Sequence, residues 1–315
     1  CDSHWRYPDD VALVRELGLG AYRFSIEWAR IEPEEGEFSR AALDHYRRVC
    51  AECHDQGVMP VVTFHHFTTP RWMAALGGWS SDTVVDRFAR FCERSTAHLG
   101  DLIGMACTIN GPNIVSLMGY VVGVFPPGRR DLSEYAAVNE RFKAAHRAAV
   151  DAIKAGPGSF PVGQTIAMGD WAAPDGAEEV LARTRHMHEG QFLEASRGDD
   201  FVGVQAYSRT RLSAEGLPEG PEPGVPVVES MGYEYWPRAA EVAIRYAAEV
   251  AGTPIYVTEN GIGTDDDTRR IDYVTRALHG VRRCLDDDID VRGYTYWSAL
   301  DNFEWALGYR PTFGL

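Results

Sequence analysis

The sequence predicts an α/β fold of the (β/α)8 TIM-barrel class, and three observations carry that expectation. Seven short apolar runs rich in β-branched residues alternate with stretches of helical period along the 315 residues. No Gly-x-Gly-x-x-Gly follows any of those runs, so a dinucleotide crevice in a doubly wound sheet has no support. Arg23, His66, Asn110, Tyr207, Glu259 and Trp297 stand at the C-terminal ends of the runs, the edge at which a barrel places its chemistry.

The elements follow in order. A helical stretch, "DDVALVREL", precedes the first strand, "AYRFSI" (21–26). Strands are then read at "VMPVVTFHH" (58–66), "LIGMACTIN" (102–110), "PVGQTIAMG" (161–169), "FVGVQAYS" (201–208), "PIYVTENG" (254–261) and "VRGYTYWSAL" (291–300). Helices fall between them at 40–56, 83–99, 136–155, 178–196, 237–250 and 270–286. Near-continuous apolar strands need cover on both faces, and helical crossovers between parallel strands supply it. Gly18, Gly57 and Gly252 close three of the helices. The longest linker, 209–235, is rich in Pro and Gly ("LPEGPEPGVP") and reads as a mobile loop over the barrel mouth. One barrel domain over 1–315 is expected, lacking the first strand and the last helix of a complete barrel.

The charge balance narrows the partners. With 31 basic and 46 acidic side chains the formal charge is −15, and no window of clustered Lys and Arg appears, which argues against nucleic acid and anionic membrane. A small neutral or cationic ligand fits better. No apolar run reaches membrane-spanning length and the N-terminus lacks a basic-then-apolar leader, so the chain reads as cytoplasmic. The six cysteines are scattered through helix-like and strand-like segments and read as free thiols. "CAECH" (50–54) has the spacing of a c-type haem attachment, but it lies within a helical pattern with no evident axial partner, and no cofactor is expected.

Three stretches concentrate chemistry. Glu259 in "YVTENG" ends a β-branched strand before a glycine, a place suited to a nucleophile, a general base or a metal ligand. Metal has thin support, because His65 and His66 are adjacent in a strand and point to opposite faces. One faces inward and the other packs against helices. "YWSALDNFEWALGY" (296–309) sets Trp297, Glu304 and Trp305 where strand gives way to loop, and indole beside carboxylate suits a polyhydroxylated ligand. Tyr294 and Phe303 in the same region read as core.

With those residues assembled, the chain resembles the family 1 glycoside hydrolases, the retaining β-glycosidases of the (β/α)8 class. The resemblance runs through "RFSIEWARI" (23–31), "VTFHHFTTPRW" (62–72), "GGW" (77–79), "TINGP" (108–112), "FVGVQAYSR" (201–209), "YVTENG" (256–261) and "YWSALDNFEWALGYRPTFG" (296–314). It implies a small-molecule β-glycoside or oligosaccharide as substrate. Glu259 then matches the catalytic nucleophile, and Arg23 and Tyr207 match groups that hold its carboxylate. His66 and Asn110 match residues that bind sugar hydroxyls, while Trp297, Glu304, Trp305 and Phe313 match walls of the glycone pocket. The retained Glu304-Trp305 pair implies an unphosphorylated sugar, as distinct from the 6-phospho-glycosidase branch.

The sequence also departs from the family pattern. The family has Asn-Glu-Pro where this chain has Asn110-Gly111-Pro112, so the acid/base glutamate is replaced by Gly111. A retaining mechanism uses two carboxyl groups, and no Asp or Glu lies between Asp101 and Asp131 to substitute. A backbone need for φ > 0 is the alternative reason for a glycine there. Because the family backbone tolerates glutamate, loss of the proton shuttle is the reading taken. Gln205 stands where many members have Asn, and Phe67 where many have Trp. The strand read as absent carries, in the family, a glutamine that binds the 3- and 4-hydroxyls. The functional expectation is a β-glucosidase-like enzyme with impaired hydrolysis. A non-catalytic carbohydrate-binding protein or a transglycosylating variant on the same fold is the alternative, and the oligomeric state stays open.

Overall fold

The computed structural model describes residues 2–315 and shows the predicted fold class: seven parallel strands alternating with helices. We number the strands β1 (Ala21–Ser25), β2 (Met59–His65), β3 (Met105–Asn110), β4 (Val162–Ala172), β5 (Phe201–Leu212), β6 (Ile255–Asn260) and β7 (Val291–Tyr296). By internal packing the chain divides into two compact units, Asp2–Thr165 and Ile166–Leu315, with the division falling inside β4.

In the first unit β1, β2, β3 and the start of β4 lie in sequence order. Parallel registers pair Arg23 with Val61, His65 with Ile109 and Asn110 with Thr165. Every residue of β3 is buried, whereas β1, paired with β2 among the described residues, is partly exposed over Ala21–Phe24 and exposed at Ser25. Helices Arg40–Asp55, Val84–Leu99 and Leu132–Lys154 cover this sheet. Ser39 and Asp131 cap two of them by accepting from first-turn N–H groups that would otherwise lack partners. The core is aromatic: Trp28, Phe88, Phe91, Trp79 and Phe142 interlock, with Trp79 stacked on Phe142 at 3.9 Å. Cys50 and Cys53 are free, buried helix residues, as read.

In the second unit the order continues β4, β5, β6, β7. β5 and β6 are parallel and pair Gln205 with Glu259, while β6 and β7 pair Asn260 with Tyr296. Helices Ala239–Ala251 and Asp267–Asp286 pack on this sheet, the second capped by Asp266. The linker 209–235 has more local structure than its composition predicts. β5 runs on to Leu212 and pairs antiparallel with Pro218–Glu219, and a hairpin joins Val227–Val228 to Tyr233–Glu234. One residue explains much of this order. Arg209 donates to Glu234 and Glu222 at 2.6 Å each and lies 4.0 Å over the Trp236 ring.

Other differences from the sequence reading have local causes. The first helix spans Ser3–Glu16, starting well before the stretch "DDVALVREL" and accommodating Pro8. The stretch read as one helix over 178–196 is interrupted by a π-helical turn at His186–Gly190. There Glu189 turns inward to accept from Gly169 N, Trp171 Nε1 and Arg185 Nε, and burial pushes its carboxyl up to about 7. Phe303 is not core: it is 54% exposed, packed edge-on against Tyr309. No helix among the described residues is long and apolar enough to cross a membrane.

Candidate active site

In the first unit, the predicted residues gather at the strand ends around Asn110. This amide is 1% exposed at the end of β3, and its Oδ1 accepts from the Arg23 guanidinium and from Thr165 Oγ1 at 3.2 Å. With its oxygen so engaged, the orientation of the amide is fixed. His66 follows β2, and burial, with the Arg23 charge and His65 adding to it, holds its imidazole well below the usual range. The ring is therefore neutral at pH 7, with one donor and one acceptor nitrogen. His65 points the other way, as alternation requires, into Trp79, Phe88 and Phe142.

Gly111 occupies the left-handed region, φ 49° and ψ 54°, at the N-cap of the short helix Pro112–Leu117. Its N–H donates to Thr165 O at 2.8 Å. A side chain in this region costs roughly 1–2 kcal/mol. The backbone at position 111 thus adopts the conformation that glycine favours, which adds a geometric reason for the residue beside the loss of a carboxyl group.

In the second unit, Glu259 lies near the end of β6, 7% exposed, and the Tyr207 hydroxyl donates to its Oε2 at 2.7 Å. Burial, followed by the Glu259 charge, raises the Tyr207 phenol well above its ordinary range, so it stays a donor. Gln205 is buried beside Glu259 in the register of β5 and β6. Glu304 accepts from Asn302 Nδ2 at 2.8 Å, and its carboxyl is raised by burial and further by the Glu259 charge. The two carboxylates are thus near enough to feel each other. Phe313 is buried edge-on to Tyr207 at 6.1 Å, and its carbonyl accepts from Ser298 N. Trp297 N donates to Asn260 O at 3.0 Å, which ties the end of β7 to the strand carrying Glu259. Trp305 begins a single 3₁₀ turn, Trp305–Leu307, and is partly buried.

The turn after Glu259 explains the glycine of "TENG". A Cβ on Gly261 would stand 2.0 Å from the Trp297 carbonyl oxygen, so backbone occupies the space a side chain would need. Among the described residues no three His, Cys, Asp or Glu side chains are placed to hold a metal ion.

Residues 1–202 and 219–315 match the model of glycosyl hydrolase family 1. The chain belongs to that family. This family 1 glycosidase is 29% identical over 365 residues to beta-glucosidase A of Thermotoga maritima, covering 100% of the chain and 81% of that relative. Thermostable beta-glucosidase B of Thermobispora bispora is 32% identical, with 98% and 74% covered. Among solved structures, the beta-glycosidase BGL167 superposes at a TM-score of 0.91 with 47% identity, covering 100% of the chain and 81% of the structure. The Thermotoga maritima beta-glucosidase in complex with noeuromycin gives 0.93 at 28% identity, with 100% and 81% covered. Gln205 and Tyr207 lie in the stretch outside the family model. Register and hydrogen bonding, rather than the model match, associate them with Glu259.

Sequence reasoning missed Thr165, which shares the Asn110 oxygen with Arg23, and Tyr233, which lies in the loop read as mobile. The aromatic spacing of "MGYEYW" (231–236) was the available signal for the second.

Proposed function

We propose that this chain is a retaining β-glycosidase acting on β-glucosides or β-galactosides through a covalent glycosyl-enzyme on Glu259, with proton transfer impaired because Gly111 stands at the family's acid/base position. The observation that carries the reading is the buried Glu259 carboxylate held by the Tyr207 hydroxyl, with Glu304 electrostatically coupled to it. In the first step a Glu259 oxygen attacks the anomeric carbon, and the C–O bond to the aglycone breaks with its electron pair going to the departing oxygen. An alkoxide leaving group needs a proton at that moment. An acidic phenol does not.

In the second step water attacks the anomeric carbon and must lose a proton, releasing Glu259 as a carboxylate. Without a base that step is slow, whereas azide attacks as an anion and needs none. General acid/base assistance is worth about 10² to 10⁴ in rate. His66 and Asn110, the latter held by Arg23, are assigned to sugar hydroxyls, and Trp297, Glu304, Trp305 and Phe313 to the glycone pocket.

The test is a 2,4-dinitrophenyl 2-deoxy-2-fluoro-β-glucoside followed by peptide mass mapping. A single glycosyl adduct on Glu259, absent in Glu259→Gln, is expected. The non-fluorinated substrate should give a burst, then slow turnover that azide accelerates with glycosyl azide as product. An unmodified Glu259 together with equal sugar affinity in Glu259→Gln would instead establish a carbohydrate-binding protein.

A further inference from the structure

The loop after β5 carries a buried phenol that none of the roles above uses. Tyr233 and Glu234 form one arm of the hairpin, with Val228 opposite Tyr233 and Val227 opposite Glu234. Successive strand side chains leave on opposite faces. The Glu234 carboxylate goes to Arg209 Nε and to Glu222 N, while the Tyr233 ring packs on the cluster of Val228, Ile262 and Tyr273. Two bonds pin the hairpin: Ser208 Oγ donates to Glu234 O at 2.6 Å and Ser230 Oγ to Gly263 O at 2.8 Å. Both anchor points flank the nucleophile region, one next to Tyr207 and the other in the turn that follows Glu259.

The ring position is therefore set, and the hydroxyl at its tip is buried with no hydrogen-bond partner among the described residues. The ring lies on Tyr273, whose own hydroxyl donates to Tyr207 O at 2.7 Å, and on Ile262, three residues after Glu259. The Glu304 charge acts on Tyr233. Buried hydroxyls are rarely left unpaired, and an unpaired one beside a carboxylate that lines a sugar pocket is a place for a sugar hydroxyl.

We propose that the Tyr233 hydroxyl is a glycone-binding group that shares the sugar's 6-hydroxyl with Glu304, the carboxylate accepting that hydroxyl's hydrogen and the phenol donating to its oxygen. The proposal rests on the glycosidase reading and on the Glu304-Trp305 pair as the mark of an unphosphorylated sugar. Burial and the Glu304 charge hold the phenol neutral, so it donates a hydrogen bond without transferring its proton. It does not replace the carboxyl absent at position 111.

The experiment compares 2,4-dinitrophenyl β-glucoside with its 6-deoxy analogue in the wild type and in Tyr233→Phe, which keeps the ring and its packing. The wild type should prefer the glucoside by about tenfold or more in kcat/KM, a hydrogen-bonded hydroxyl being worth roughly that. Tyr233→Phe should lose most of that preference through KM on the glucoside and leave the 6-deoxy substrate unchanged, with an unchanged Tm. Equal losses on both substrates, or none on either, would overturn the proposal. Failure of the glycosidase reading shows separately, as no adduct on Glu259. In that case the affinities of the wild type and Tyr233→Phe for glucose and 6-deoxyglucose decide Tyr233 by the same difference, and absence of sugar binding refutes it.

Discussion

The strand ends of the two units are built from different chemistry. Around Asn110 the groups are a guanidinium, an amide, a hydroxyl and a neutral imidazole, and position 111 has no side chain. Around Glu259 stand two carboxylates and a phenol kept protonated by burial and their charge. The first set can hold and orient hydroxyl groups but has no carboxyl with which to move a proton. The second can attack a carbon centre and bind hydroxyls. On the proposed reading the nucleophile and the proton shuttle fall on residues far apart in the chain, so that one can be lost while the other is kept.

The sharpest way to break that contrast is Gly111→Glu. If a proton shuttle is what the Asn110 region lacks, turnover of unactivated aryl β-glycosides should rise by about 10² to 10⁴. The same change should cost roughly 1–2 kcal/mol of stability, read by denaturant titration, because the backbone there is left-handed. Lost stability with no gain in turnover would leave backbone geometry as the whole reason for the glycine. A smaller effect is expected from Tyr207→Phe, which removes a hydrogen bond to a charged group worth about 1.5–3 kcal/mol. We expect kcat/KM with an activated substrate to fall by about one to two orders of magnitude.

The smallest expected effect is in pH. Glu304 has a folded pKa raised above its ordinary value, so burial favours its neutral form. Its contribution to stability is present in full below the ordinary carboxylate pKa and is lost as pH rises through the raised one. Glu304→Gln, neutral at every pH, should flatten that decline by a few degrees in Tm. An unchanged pH profile would show that the Glu304 carboxylate is not desolvated in solution.

Much of this was legible in the sequence because it rests on short-range pattern. The β-branched run before Glu259 and the helix stops at Gly18, Gly57 and Gly252 all sit where local chemistry places them. The opposite facing of His65 and His66 followed from strand alternation alone. What escaped depends on partners distant in the chain. Order in the loop after β5 comes from Arg209 reaching Glu222, Glu234 and Trp236, which no periodicity encodes. Phe303 is apolar yet exposed because it follows the last strand, where no sheet face covers it. The φ of Gly111 was undecidable from sequence, since Asn-Gly-Pro suits both a turn and a strand end.

The contact between Gly261 and the Trp297 carbonyl has a practical consequence. With no side chain between them and the Trp297 amide bonded to Asn260 O, the β6 and β7 ends have little room to shear, and opening one must open the other. Hydrogen exchange at the Trp297 amide therefore reports on the strand that carries Glu259. A covalent sugar that quiets Glu259 should slow exchange at Trp297, which makes one backbone amide a spectator of occupancy that no assay of product is needed to read.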